Sequence, residues 1–167
     1  MARRSTRGIV GLAASAVLTG ALGCSPTVTD TGFAGTWASE VQVGGRSVVA
    51  IWRDGSGYRF AVNRYDADGR HHLRCTAEGE CAYFDGEAPY YALEFAVRAG
   101  SNDGALYVDC KGHPLEGKEG TPIEWVERLS VEPGGIVLTA QRIELNGTPV
   151  TAMPRRFAKQ SDRPRFR

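Results

Sequence analysis

The sequence predicts an all-β protein, an antiparallel up-and-down meander of about eight to ten strands closing into a small barrel. Three observations carry this. The 21 glycines and 8 prolines among 167 residues punctuate the chain every several positions, leaving pieces too short for packed helices. Beyond residue 22, runs with a helical period of useful length are hard to find. Several short stretches instead alternate apolar and polar residues, the period-two mark of a strand with one face on a core.

The first strand opens at Phe33-Ala34-Gly35-Thr36-Trp37. Phe33, Trp37, Val41 and Val43 fall on one face, with Thr36, Glu40 and Gln42 on the other. Residues 46–53 form the second strand, where Val48 to Trp52 is an almost unbroken apolar run and both faces should be covered. After Asp54-Gly55-Ser56-Gly57, Tyr58, Phe60 and Val62 alternate with Arg59, Ala61 and Asn63. Asp66-Ala67-Asp68-Gly69 then reads as a turn. It is too short for a calcium loop and has no glutamate at the needed distance.

His71-His72 opens the strand leading to Cys75, and adjacent strand residues point to opposite faces, so the pair cannot chelate one ion. If Ala77-Glu78-Gly79 is a three-residue loop with Gly79 left-handed, Thr76 faces Glu80 and Cys75 faces Cys81. Opposed β-carbons then come near disulfide distance. Cys75–Cys81 is the expected bond, leaving Cys110 packed as a small apolar residue beside Leu106 and Val108. The alternatives are pairing of either with Cys110, or a zinc cluster of these three with His113. No C-x-x-C favours the latter, and no metal or other cofactor is expected.

Residues 89–98 give the clearest alternation, with Tyr91, Leu93, Phe95 and Val97 on one face. Ser101-Asn102-Asp103-Gly104 turns it into the strand 105–110. Residues 111–122, with Gly112, Pro114, Gly117, Gly120 and Pro122, read as the longest irregular connection, the kind of segment where binding functions concentrate. In the last hairpin, Ile123, Trp125, Glu127, Leu129 and Val131 share a phase, as do Ile136, Leu138, Ala140 and Arg142. A loop at Gly134-Gly135 would set Val131 against Leu138, Leu129 against Ala140 and Glu127 against Arg142. The ion pair would then sit on the apolar face, placed to orient a polar ligand group. A β-bulge turning both charges outward, or an exposed rim pair, are the alternatives. After the Asn146-Gly147 turn, residues 148–153 could add a short closing strand. The barrel is therefore expected over residues 33–153, followed by a basic, solvated, disordered tail at 154–167.

The N-terminus carries an address. Arg3, Arg4 and Arg7 precede a weakly apolar run over residues 9–22, too short and glycine-rich to span a bilayer, and Ala21-Leu22-Gly23-Cys24 ends it. These four residues resemble the lipobox of bacterial lipoproteins. The resemblance implies a signal peptide over 1–23, lipidation of Cys24, a tether over 24–32, and an exported protein held in the cell envelope by lipid. Ser25 after the cysteine implies the outer membrane if the host is Gram-negative. Removing residues 1–23 leaves 144 residues, one ordinary domain. Between Cys24 and Met153 there are 11 basic and 18 acidic side chains, and this acidic body argues against a nucleic-acid partner.

Phe33-Ala34-Gly35-Thr36-Trp37 also resembles the Phe-x-Gly-x-Trp opening of lipocalins and their calycin relatives. The likeness implies a barrel in which Gly35 admits close backbone approach and Trp37 closes one end. It also implies an arginine from a late strand over the tryptophan, a role that Arg142 could fill. No Gly-x-Ser-x-Gly elbow, phosphate loop or His-Glu-x-x-His is present, so an enzyme is the least favoured class. Two readings stand. One is a lipid-anchored module binding a small apolar or amphipathic ligand, with Tyr91, Phe95, Trp125, Glu127 and Arg142 as candidate contacts and Trp37 in the lining. The other is an envelope interaction protein with a filled barrel, acting on a protein partner through residues 111–122 or the tail.

Overall fold

Eleven strands and no helix make up residues 32–39, 45–76 and 79–165, which the computed structural model describes. They are β1 (Gly35–Ser39), β2 (Arg46–Asp54), β3 (Gly57–Tyr65), β4 (His71–Cys75), β5 (Cys81–Asp85), β6 (Ala88–Ala99), β7 (Leu106–Pro114), β8 (Ile123–Val131), β9 (Val137–Leu145), β10 (Thr148–Pro149) and β11 (Arg155–Ser161). Each strand from β1 to β9 pairs antiparallel with the next, and β11 pairs with both β9 and β1. The hydrogen bonds therefore run in a closed ring, a barrel-like meander of the class the sequence predicts. The expected signal peptide over residues 1–23, Cys24, Val41 and Val43 lie outside the described residues.

Closure comes from a segment that composition misreads. Its composition predicts a solvated, disordered tail over residues 154–167, yet Arg155–Ser161 is the strand that seals the ring. β8 occupies one edge of β9 throughout, so β10 and β11 lie in succession along the other. Two of its basic residues find tertiary partners there, and a third a local one. Phe157 is 1% exposed, a burial that contributes about 1.5–3 kcal/mol; Arg155 meets Glu127, Arg156 meets Glu132, and Lys159 meets Asp162. Without β11 the edges of β9 and β1 would both be open.

The close approach expected at Gly35 is present. Its φ is 144°, and a Cβ there would stand 2.5 Å from the carbonyl oxygen of Ser161. Only glycine lets β11 come this near β1. Trp37 is wholly buried, and its indole N–H donates to the carbonyl of Phe33 at 3.0 Å. The cation over its ring is Lys159, 5.2 Å from the centroid, and not Arg142, which the lipocalin likeness had suggested.

Most other local readings hold. At 49–51 consecutive residues are buried, so both faces of β2 are covered as the apolar run predicts; on β3 residues 60–63 are also all buried, where the alternation predicts one buried face. Asn63 accounts for one of them: its Oδ1 accepts the backbone N–H of Cys75 at 3.0 Å. Thr76 donates its backbone N–H to Glu80, Gly79 is left-handed at φ 96°, and Cys75 and Cys81 are register partners joined by a disulfide. Cys110 is free and buried in the same core cluster as Leu106 and Val108. β7, however, runs on to Pro114, so the irregular connection is residues 115–122 rather than 111–122.

Candidate functional site

The β8–β9 register sets Val131 against Leu138, Leu129 against Ala140 and Glu127 against Arg142, the pairing read from the alternation. A register shift between Val126 and Glu127 does not turn the acid outward: Glu127 is 6% exposed. Its principal partner is a different one. Nη2 of Arg155 donates to both carboxylate oxygens at 2.7 Å, while Nη2 of Arg142 stands 3.8 Å from Oε1. The guanidinium of Arg142 lies over the Trp125 ring, 5.1 Å from its centroid, and its Nε is buried without a hydrogen-bond partner among the described residues.

A fourth charged group joins them. Arg64 continues the inward phase of Phe60 and Val62 on β3, and lines the same interior space as Glu127 and Arg155. Burial pulls the Arg64 guanidinium below its ordinary pKa. The neighbouring positive charges of Arg155 and Arg142 act the same way, and Glu127 opposes them. Three arginines thus surround one carboxylate.

Two adjoining spaces share Arg64, Leu73 and Trp125 as walls. The inner one, among Phe60, Phe95, Glu127 and Phe157, has only about 20 Å³ free, room for a single water. The rings of Phe60 and Phe95 meet across it, 5.4 Å between centroids, so this part of the barrel is filled by side chains. The outer space measures about 260 Å³ and is walled by Arg64, Leu73, Tyr83, Tyr91, Leu93, Ile123, Trp125 and Arg142. Tyr83 is 40% exposed, which leaves this mouth open to solvent.

The candidate contacts therefore divide. Tyr91, Trp125 and Arg142 wall the mouth, whereas Phe95 and Glu127 face the filled interior. Trp37 lines neither space. Gly112 stands between Leu93 and Ile123 in the register, and a Cβ on it would meet both side chains within 2.9 Å. Its lack of a side chain is what lets those two residues form the wall.

The connection at residues 115–122 borders this end of the barrel and is tied down. The Tyr90 hydroxyl donates to the carbonyl of Glu119, and the Tyr91 hydroxyl donates to that of Thr121 at 3.1 Å. Sequence reasoning missed Arg64, Tyr83 and Arg155. Arg64 was legible in principle, two residues beyond Val62 in the same alternation. Arg155 was masked by the basic composition around it.

His71 and His72 contact different rings, Tyr65 and Tyr83, and no cluster of metal-ligating side chains forms among the described residues. Searches against protein-family models, curated proteins and solved structures give no match to this chain.

Proposed function

We propose that the chain is an exported, lipid-anchored envelope protein, non-enzymatic, whose barrel-like domain binds a small apolar or amphipathic ligand at one end. The observation that carries the binding reading is the 260 Å³ space walled by Leu73, Leu93, Ile123, Tyr91 and Trp125 and flanked by two guanidinium groups. Small-molecule sites are typically apolar recesses of about 300–1,000 Å³ with a few placed polar groups. At about 260 Å³ this one falls just below that range. Anchoring is supported by the basic head, apolar run and Ala21-Leu22-Gly23-Cys24 of the N-terminus, which would present the domain at a membrane surface.

The test uses the full chain carrying Cys24→Ser, which has no thiol for lipid attachment, in buffer without detergent. The uncharged fluorophore N-phenyl-1-naphthylamine should bind saturably with enhanced emission. Ile123→Trp, which fills the space, should abolish the enhancement while the strand content seen by circular dichroism is kept. Enhancement that survives this substitution would place the apolar site elsewhere.

A second reading, an interaction protein with a filled barrel, is favoured by one observation: the interior around Glu127 and Phe95 is packed. The two surfaces that reading relied on are both engaged, residues 115–122 by Tyr90 and Tyr91 and much of the former tail as β11. Absence of any saturable fluorophore binding would favour it.

A further inference from the structure

We propose that the mouth receives the carboxylate of a small monocarboxylic acid between the guanidinium groups of Arg64 and Arg142, with its aromatic or short aliphatic body against Tyr83, Tyr91 and Trp125. The proposal rests on the reading of this space as a ligand site and adds the chemical class of the ligand.

Arg64, Arg142 and Arg155 converge on Glu127, the one acid facing them among the described residues. Arg155 spends its contact on that acid, with Nη2 at 2.7 Å from both oxygens. Arg142 is left with a long 3.8 Å approach and an unpartnered Nε. The Arg64 side chain makes no hydrogen bond or ion pair among the described residues, and burial works against its charge. Two guanidinium groups are thus held in partly desolvated positions with little return from the fold.

Both of these under-used arginines, and not the satisfied Arg155, line the outer space. An anion entering the mouth would meet the planar donors that suit carboxylate recognition. A cation would be repelled.

The remaining walls define the rest of the ligand. Leu73, Leu93 and Ile123 are apolar, and Tyr83, Tyr91 and Trp125 present ring surface, so a bare inorganic anion would leave most of the lining unused. A volume near 260 Å³ is roughly that of nine waters at about 30 Å³ each. One ring or a short chain fits, and a two-chain lipid does not.

The experiment compares 3-phenylpropanoate, 3-phenylpropanol, 3-phenylpropylamine and inorganic phosphate on the full chain carrying Cys24→Ser, read by the Trp125 indole N–H resonance after assignment with Trp125→Phe. The propanoate should bind at least about tenfold more tightly than the alcohol, the ratio that one charge-assisted hydrogen bond supplies. The amine and phosphate should leave the resonance unmoved at the same concentrations.

Arg64→Gln should erase the preference for propanoate over alcohol while leaving the urea midpoint unchanged or raised, because the fold gains little from that charge. Equal binding of alcohol and propanoate overturns this inference and leaves the binding module standing. A shift with phosphate as strong as with propanoate also overturns it. No shift with any of the compounds overturns both.

Discussion

Nη2 of Arg155 lies 2.7 Å from each carboxylate oxygen of Glu127, which joins the closing strand β11 to the interior face of β8. A buried acid that alternation alone would pair with Arg142 is thereby satisfied from a different strand. The contact has two effects. It neutralises the carboxylate, and it leaves Arg142 to stack on Trp125 at the mouth.

Replacing Arg155 should therefore cost far more than replacing Arg142. Arg155→Ala orphans a carboxylate that is 6% exposed, and should lower stability by about 3 kcal/mol, the low end for breaking a buried pair. Arg142, already at 3.8 Å, can take over part of the contact. Arg142→Ala loses only that long approach and a cation–π stack, about 1 kcal/mol. Urea unfolding of the two variants gives the comparison, and equal midpoints would show that Arg155 does not anchor β11.

At the other junction of β11, Gly35→Ala should be severely destabilising. The residue sits at φ 144°, a conformation costing about 1–3 kcal/mol for a non-glycine residue. The new methyl would also press on the backbone oxygen of Ser161 at 2.5 Å. Thermal unfolding should show a large loss, with the exchange protection of β1 and β11 amides falling first. A variant as stable as the parent would mean that the two strands can separate locally without cost.

Cys110 predicts a dependence on alkaline pH. It is 1% exposed, and burial, with the nearby charge of Glu127 adding to it, holds its thiol well above the ordinary value of 9.0. Above pH 9 the unfolded chain releases this proton and the folded chain keeps it, so the native state binds more protons and stability falls as pH rises. The slope should approach about 1.4 kcal/mol per pH unit. Cys110→Ala should remove that component, seen as the difference between urea titrations of the two proteins from pH 8 to 10.

The N-terminal reading has its own check. A radiolabelled fatty acid fed to the host should be incorporated into the protein, and Cys24→Ser should abolish both the label and recovery in the membrane fraction. Label retained by that variant would move the attachment away from Cys24.

Much of this architecture is local and so was legible in the chain. Period-two alternation locates β6, β8 and β9, because a strand with one buried face cannot hide which residues it buries. The Cys75–Cys81 pairing and the β8–β9 register followed from turn length, since a short loop leaves a hairpin few alternatives. The expectation that Glu127 and Arg142 face each other followed from the same reasoning, and needed no knowledge of other strands.

Only the tertiary structure decided what required contact between distant segments. Composition marks Arg155–Ser161 as solvated, but Arg155 meets Glu127, Arg156 meets Glu132 and Phe157 fills a place in the core. Whether a charged segment packs depends on the counter-charges that closure of the ring brings to it, and those lie outside any local window. The division of the interior into a filled body and a small mouth is likewise beyond the sequence. Free volume is set by how Phe60, Phe95 and Phe157 pack across the ring, a property of the assembled core and not of any strand.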